Sequence, residues 1–462
     1  MLPPHKLLKG SFEPAGQPFV TPVSDPVKRV IVIGAGYSGI AAANALRTYG
    51  IEVVVLEGQA NIGGRTQTVS LAGAHAEAGG GWIHAPIGNP LSELADFLSL
   101  ARQAFPLSGV FSNLKLVSHM DRALDKFERD RIMALVDVIE EELIESASLY
   151  APSQTIAELI DSRLQEIPDK DLREWVNFVL TTGFEADLAC SASDISVINY
   201  TGDAGYQGGD DCIIDGYSAM LNLLAKGGQI HCNSVVSEIV QTPTEITVRC
   251  TNGHIEHGSH VLLSVPLGVL KAGSITFSPA LSTQKRFAIE RLGFGAFEKL
   301  IFQFENAFWR TVDNDVSGIL IKGHPVFPYW LDVSASSGRP TLAAHVSGPQ
   351  ALALAKLDDD VAFDMAMSAL SSACGGVPTV PVEWHRTNWV TDPFSRGAYT
   401  HLPPSISLQE IHNLSQPEGR LLFAGEATST ERFGYVDGAY VSGLREARRL
   451  TGGRPVKISI SA

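Results

Sequence analysis

The stretch Val30–Arg65, VIVIGAGYSGIAAANALRTYGIEVVVLEGQANIGGR, decides the fold of this chain of 462 residues. It opens with the apolar run Val30–Ile33, which has the composition of a parallel strand that is covered on both faces. Gly34, Gly36 and Gly39 follow with the spacing G-x-G-x-x-G. The first glycine permits a tight turn, the second lets a pyrophosphate approach the backbone, and the third lets the next helix pack closely against the strand.

A second strand and an acidic residue complete the unit. The apolar run Val53–Leu56 ends at Glu57, which has the spacing of a carboxylate that binds ribose hydroxyls. The helix near Ser38 offers a phosphate its free N–H groups and the positive end of its dipole. A glycine-rich turn in an unrelated fold is the alternative interpretation, but strand, turn, helix, strand and acid occur here in the expected order. The sequence therefore predicts an α/β fold in which a parallel sheet binds a dinucleotide.

The composition is that of a globular protein with two or more domains. The chain is 45% hydrophobic, and its net charge of −15 argues against a nucleic-acid partner. Acidity is compatible with a cationic substrate, although it also simply favours solubility. The five cysteines are scattered and odd in number. Because they lack metal-ligand spacing, they predict reduced thiols, no metal site and an intracellular, cytoplasmic location.

The two ends of the chain predict tails. Residues 1–27 are rich in Pro, Gly and polar groups and lack the apolar core of a signal peptide. Residues 453–462 are expected to form a C-terminal tail that is too short to anchor the chain. No run reaches the roughly 18 apolar residues of a membrane helix, so we expect no membrane partner. The sequence leaves open whether the protein is a monomer or a homodimer.

The middle of the chain predicts helices and then hairpins. From about Ala101 to Asp194 the apolar residues recur with helical spacing, for example in Asp125–Glu145. Asn252-Gly253 predicts a hairpin turn. Asp210 and Asp211 predict a solvated acidic loop, with attraction of a cationic amine as the alternative.

Two further segments resemble those of FAD-dependent amine oxidases. The turn that contains Gly64 and Arg65 resembles their GGR turn, although a solvated loop charge is the alternative for the arginine. The segment Glu77–His84, EAGGGWIH, resembles the E-x-G-x-x-W-I-H-G stretch of polyamine oxidases, except that Ala85 replaces the last glycine. For the histidine, a structural role is equally compatible with the pattern. The resemblance implies flavin contacts from Gly64, Arg65, Gly80, Gly81 and Trp82, and a substrate contact from His84.

An apolar segment, Gly293–Trp309, carries a lysine at an unexpected position. It reads GFGAFEKLIFQFENAFW, with Lys299 near its start. Burial of an ammonium group is costly, so an edge position or a side chain that reaches solvent is the ordinary explanation. The segment nevertheless resembles the amine oxidase strand whose lysine holds a water against flavin N5. The resemblance implies that Lys299 is catalytic.

The C-terminal part carries the second strong resemblance. Trp389–Tyr399, WVTDPFSRGAY, resembles the motif W-x-x-D-P-x-S-x-G-x-Y, and RLLFAGEATS and GYVDGAYVSG follow it. The resemblance implies that Tyr399 and Tyr435 form two aromatic walls around the amine. It also implies that a helix beginning near Gly438 points at the flavin. The cofactor contacts that the resemblance implies in the C-terminal part are Trp389, Gly425, Glu426, Tyr435 and Val436. In the middle of the chain it implies a contact from Val236.

The resemblance covers nearly the whole chain and implies two domains. The FAD-binding domain is expected to comprise residues 28–105, 209–290 and 385–452. The α+β substrate-binding domain is expected to comprise 106–208 and 291–384, with Phe327, Tyr329 and Trp330 as candidate cavity residues. FAD is expected to be bound non-covalently, because Ala398 stands where monoamine oxidases carry the cysteine that binds it.

The activity that this family implies is oxidation of an amine to an imine by hydride transfer to flavin N5. Dioxygen then reoxidises the flavin to give hydrogen peroxide, and the imine hydrolyses to an aldehyde or ketone. Polyamines and other primary or secondary amines fit. An amine dehydrogenase, a hydrocarbon desaturase and a non-catalytic flavoprotein scaffold are alternatives. An L-amino-acid oxidase would need an arginine for the substrate carboxylate, and the segment Gly79–Pro90 has none.

Overall fold

A computed structural model describes residues 10–105, 114–118, 123–200, 205–310, 317–376 and 380–460. The outermost residues of both predicted tails, 1–9 and 461–462, lie outside the described part, as does the predicted domain boundary at residue 106.

The strands of the described part are β1 Gly10–Phe12, β2 Arg29–Ile33, β3 Glu52–Leu56, β4 Thr68–Leu71, β5 Ala74–Glu77, β6 Ile83–His84, β7 Arg102–Phe105, β8 Leu114–Ser118, β9 Asp210–Ile213, β10 Gln229–His231, β11 Val236–Gln241, β12 Ile246–Cys250, β13 Ile255–Gly258, β14 His260–Leu263, β15 Thr276–Ser278, β16 Gly293–Phe294, β17 Phe297–Gln303, β18 Gly318–Lys322, β19 Tyr329–Asp332, β20 Thr341–Ser347, β21 Glu383–Arg386, β22 Thr400–His401, β23 Leu421–Phe423 and β24 Ile458–Ile460.

The α-helices are α1 Tyr37–Thr48, α2 Pro90–Phe97, α3 Lys126–Ser146, α4 Ile156–Leu164, α5 Lys170–Leu188, α6 Gly216–Ala225, α7 Leu267–Lys271, α8 Thr283–Arg291, α9 Ser334–Ser337, α10 Gly348–Leu354, α11 Asp359–Ala373, α12 Leu408–Ser415 and α13 Val436–Leu450.

A five-stranded parallel sheet, in the order β10-β3-β2-β14-β23, forms the first layer. Its strands come from three separated parts of the sequence, and their apolar side chains are buried on both faces. Helix α1 lies on one face because Gly39 has no side chain. A Cβ at that position would lie 2.0 Å from the carbonyl oxygen of Gly34. The prediction of an α/β fold with a parallel sheet is confirmed.

A six-stranded mixed sheet, in the order β21-β17-β20-β19-β18-β8, forms the second large layer. Helices α3, α4 and α5 cover one of its faces and α11 covers the other. A four-stranded sheet, β13-β12-β11-β15, packs against the parallel sheet. The predicted turn at Asn252-Gly253 is confirmed and joins β12 to β13.

The middle segment contains strands as well as helices. The predicted helix Asp125–Glu145 is confirmed as α3, which begins with a capping box between Asp125 and Glu128. The helical prediction from Ala101 is wrong at its start, because β7 and β8 lie there. Strand β8 pairs in parallel with β18 and completes the large sheet. Pairing with a distant strand determines the structure of such a short segment, and its own periodicity does not reveal this.

The two tails are paired with each other. Strand β1 lies antiparallel to β24, and Ile458 is fully buried in the core beneath α1. The prediction that residues 453–462 form a tail outside the domains is therefore wrong for the described residues 456–460, because Val456, Ile458 and Ile460 are buried in the core of the first layer. In the described ranges, no helix combines the length and the apolar character needed to cross a membrane.

Candidate active site

One elongated cavity of about 880 Å³ lies between the parallel sheet and the six-stranded sheet. The predicted site residues that line it are Gly34, Gly36, Ser38, Glu57, Gly64, Arg65, Gly80, Gly81, Trp82, His84, Val236, Lys299, Trp389, Tyr399, Gly425, Glu426, Tyr435 and Val436. Gly39 does not line the cavity and serves the packing of α1 on its strand. The structure thus brings together motifs that lie hundreds of residues apart.

The end of the cavity beside the parallel sheet is built from backbone. Gly34 has a φ of 101° and Gly64 a φ of 57°, conformations that favour glycine. A Cβ on Gly36 would meet no atom closer than 3.9 Å, so this residue faces open space in the cavity. No side chain caps the N-terminus of α1, where Ser38 lies. These features suit a phosphate, because backbone N–H groups are presented to an accessible space.

Glu57 lies at the carboxyl end of β3 and is buried at the same end of the cavity. Its two oxygens accept hydrogen bonds from the backbone N–H groups of Ala35 at 2.7 Å and Gln59 at 2.9 Å. Burial raises the pKa of this carboxyl, and the backbone hydrogen bonds oppose that shift. The carboxylate is thus held in place, with further lone pairs for a ribose hydroxyl.

Arg65 and Glu426 form an ion pair across the cavity wall. The Arg65 guanidinium donates to Oε1 of Glu426 at 2.9 Å and to the carbonyl of Ala398 at 2.5 Å. The other oxygen of Glu426, Oε2, accepts from the N–H of Gly434 at 2.8 Å. Both predicted cofactor residues therefore already have protein partners, which hold together the C-terminal segments that line the cavity.

The predicted helix near Gly438 is confirmed as α13, which begins at Val436. Asp437 in its first turn pairs with Arg432 at 2.9 Å and accepts from Asn89 at 2.8 Å. A Cβ on Gly80 would lie 3.0 Å from the Val436 side chain, so the helix start and the glycine segment are in close contact. Gly80, Gly81 and Val436 all line the cavity, so this part of its wall consists largely of residues without bulky side chains, as a flat ring requires. The dinucleotide end and this part of the wall together match the two halves of the cofactor.

Lys299 lies on β17 and is only 5% exposed. Its Nζ donates to the carbonyl oxygens of Gly79 at 2.7 Å and Glu77 at 3.2 Å, and lies 5.0 Å from the centre of the Trp82 ring. Burial lowers the pKa of this lysine to about 8, although the nearby Glu77 carboxylate counteracts the shift. The explanations of an edge position and of a side chain that reaches solvent are therefore both wrong for Lys299.

The carboxyl group of Glu77 is a second buried ionisable group beside Lys299. It accepts from the N–H of Tyr217 at 2.9 Å and from the Thr68 hydroxyl at 3.0 Å. Burial raises its pKa to about 7, and the charge of Lys299 opposes this. Lys299 lines the cavity and Glu77 lies behind it, and a pair of buried groups with pKa values shifted toward neutrality beside a cavity is typical of a catalytic site.

Aromatic residues form the remaining wall at the end of the cavity that contains Lys299 and His84, which we call the amine end. Tyr399 donates its hydroxyl hydrogen to the carbonyl of Ala186 at 2.8 Å, and burial raises its pKa well above the usual value. Trp389 donates its ring N–H to the carbonyl of Ala78 at 3.1 Å. Tyr435 has its ring 5.4 Å from that of His84. These hydrogen bonds fix rings whose apolar faces line the cavity.

His84 is paired with a residue whose role the sequence did not reveal. Its Nδ1 lies 2.8 Å from Oδ1 of Asp210 on β9. The neighbouring Asp211 pairs with Arg102 at 2.7 Å. The prediction of a solvated acidic loop is therefore wrong, because both carboxylates lie on a strand and have protein partners. The antiparallel pairing of β6 with β9 that brings them together has no local sequence signal.

Other residues of the amine end were also not predicted. His345, Glu140 and Asp187 line the cavity. Of the aromatic residues predicted to line it, only Tyr329 does so, whereas Phe327 and Trp330 are fully buried in the apolar core on the other face of the sheet. Alternation along β19 explains the difference between Tyr329 and Trp330, because neighbouring side chains of a strand point to opposite faces.

Fold and site define a flavoenzyme with an amine-oxidising cavity, and the comparison with known proteins agrees. Residues 37–451 match the family model of flavin-containing amine oxidoreductases. The chain belongs to this family, its cofactor is FAD, and it is an amine oxidoreductase.

The curated relatives include two kinds of protein. Polyamine oxidase 4 of Oryza sativa subsp. japonica is 31% identical over 439 residues, which cover 90% of this chain and 87% of the relative. Lysine-specific histone demethylase 1 homolog 2 of the same organism is 32% identical over 442 residues, 91% of this chain and 56% of the relative. A solved putrescine oxidase with redesigned cofactor binding has a TM-score of 0.74 at 21% identity, with 93% and 100% of the two chains covered. That likeness supports the fold.

Proposed function

We propose that this protein oxidises a C–N bond of a polyamine or a related aliphatic amine. One observation carries this proposal beyond the family. Glu140 and Asp187, from α3 and α5, line the amine end of the cavity. Burial, together with the charges of Asp187 and Asp137, raises the pKa of Glu140 to about 7. Carboxyl groups that repel one another in this way are stabilised by a cation between them. A second ammonium group of a polyamine would supply that cation.

The residues at the amine end would prepare the substrate. Tyr399 and Tyr435 would exclude water from the carbon that reacts, which favours the neutral amine over the ammonium form. Lys299 would hold a water beside the reacting carbon. Non-covalently bound FAD would supply the two-electron acceptor for oxidation of the amine to an imine, and dioxygen would reoxidise it with release of hydrogen peroxide. Water would then hydrolyse the imine to an aldehyde or ketone and the remaining amine.

A panel of amines tests the proposal. Purified enzyme is mixed anaerobically with spermidine, spermine, putrescine, an N-methyl-lysine peptide, benzylamine and an L-amino acid, and bleaching of the flavin is followed. We expect the fastest bleaching with the polyamines, and hydrogen peroxide when air is admitted. Bleaching by the N-methyl-lysine peptide alone would contradict the polyamine assignment. A flavin that stays oxidised with every amine would contradict amine oxidation altogether.

A further inference from the structure

His345 lies directly opposite Lys299 in the six-stranded sheet. The antiparallel register of β17 and β20 pairs the two residues. Side chains at such positions project from the same face and lie about 5 Å apart at Cβ. Both residues line the cavity, and each is only 5% exposed. The wall around Lys299 thus contains a second polar side chain.

The surroundings of His345 are almost entirely aromatic. Its ring centre lies 5.2 Å from that of Phe297, 5.5 Å from that of Tyr329 and 5.8 Å from that of Trp82. Its Nε2 is buried and has no hydrogen-bond partner within the described part of the chain. Buried polar atoms normally have a partner, so the position calls for a molecule that the protein does not itself supply.

The hydrogen-bonding capacities of His345 and Lys299 are complementary. Burial lowers the pKa of His345 well below its usual value, and the charge of Lys299 acts in the same direction. The imidazole is therefore neutral, with one donor and one acceptor nitrogen. A protonated Lys299 has three N–H donors, and the carbonyls of Glu77 and Gly79 accept two of them. A third donor and an acceptor nitrogen remain at one end of the cavity.

We propose that His345 and Lys299 together hold one water molecule in the cavity, which accepts from Lys299 Nζ and donates to the imidazole of His345. His345 is then a positioning residue that fixes the water for the amine oxidation proposed above, on which this inference rests. A histidine that served only to fill space would gain nothing from its polar atoms in an aromatic enclosure. A phenylalanine would fill the same space without leaving an unpartnered nitrogen.

Two substitutions separate positioning from packing. His345→Phe keeps a ring and removes the acceptor, whereas His345→Gln keeps a neutral acceptor on a smaller side chain. In stopped-flow experiments with spermidine, we expect His345→Phe to slow flavin reduction or reoxidation about three- to tenfold, with KM changed less than twofold. We expect His345→Gln to retain at least half of the wild-type rate. Gln303→Leu is the matched control, because this buried residue of β17 also has unpartnered polar atoms but does not line the cavity.

Two measurements do not depend on turnover. The holoenzyme of His345→Phe should melt at nearly the wild-type temperature, because a ring of similar size fills the same space. A slower reaction in this variant then does not come from a disturbed fold. A high-resolution crystal structure of the wild-type protein should contain a water within hydrogen-bond distance of both Lys299 Nζ and the imidazole. The water should be absent from His345→Phe.

The inference is overturned if His345→Phe retains wild-type rates in both half-reactions. It is also overturned if His345→Gln slows flavin reduction or reoxidation as much as His345→Phe does. Absence of the water from the wild-type crystal would overturn it as well. If no amine bleaches the wild-type flavin, the proposed function fails on its own. The crystal structures would then still decide whether the two side chains hold a water.

Discussion

The two ends of the cavity are built in different ways. At the dinucleotide end, the contiguous segment Val30–Arg65 contributes several of the lining residues, among them the glycines Gly34, Gly36 and Gly64. At the amine end, Lys299, His345, Asp210 and Glu140 come from four distant segments and contribute side chains. The first end depends on glycines that leave space, and the second depends on burial that shifts pKa values. The first end can therefore be recognised from a motif, whereas the second requires the pairing of distant strands.

At the dinucleotide end, Glu57 is the side chain on which we expect FAD binding to depend. Its removal should give the largest effect of the substitutions described here. We expect Glu57→Ala to weaken FAD binding by about 1.5–3 kcal/mol, or roughly 10- to 150-fold, because a hydrogen bond to a charged group is lost. Recovery of flavin fluorescence on dilution measures the dissociation constant.

Glu52 provides the control at the other end of the same strand. Its side chain is largely exposed and pairs with Arg29 on the surface. Glu52→Ala should bind FAD as the wild-type protein does. Equal FAD affinity in Glu57→Ala and Glu52→Ala would show that Glu57 is not a cofactor ligand.

The sequence predicts the dinucleotide end well for a physical reason. Strand, tight turn and helix are consecutive, so Gly34, Gly36 and Gly39 meet the requirements of local geometry alone. Family resemblance extended the prediction to Lys299 and Tyr399, which now line the same cavity.

The residues that were missed have in common that a partner from a distant segment defines them. The sequence analysis named Asp210, but its contact with His84 depends on the pairing of β9 with β6. The position of His345 opposite Lys299 depends in the same way on the pairing of β20 with β17. Neither residue has a motif around it. Burial of Ile458 against α1 was missed for the same reason, since it depends on where the chain returns.

The substitution Lys299→Met tests the catalytic role of the amine end. We expect Lys299→Met to fold and bind FAD, because an unbranched apolar side chain suits its surroundings. Turnover with spermidine should fall about tenfold or more, which corresponds to at least ~1.4 kcal/mol in the transition state. Stopped-flow absorbance assigns the loss to flavin reduction or to reoxidation.

Lys285 is a matched control in another region. It is buried, its Nζ donates to the carbonyls of Leu414 and Gln416 at 2.5 Å, and it lies 3.7 Å from the centre of the Phe423 ring. Burial lowers its pKa to about 7, yet it does not line the cavity. Lys285→Met should change the melting temperature and leave turnover per bound FAD unchanged. If Lys299→Met also leaves turnover per bound FAD unchanged, neither buried lysine has a catalytic role.

The smallest expected effect concerns the two neighbouring carboxylates of β9. Asp210 faces the cavity and holds His84, whereas Asp211 pairs with Arg102 and does not line the cavity. Asp210→Asn preserves the shape and removes a partly exposed charge, so we expect KM for spermidine to rise about two- to fivefold, or roughly 0.5–1 kcal/mol. Because salt screens such charges, the difference should shrink between 50 mM and 500 mM NaCl. Asp211→Asn should leave KM unchanged at both salt concentrations. If the two variants have equal KM values, the acidic character of the amine end does not arise from Asp210, and the contribution to cation binding must be sought at Glu140 and Asp187 instead.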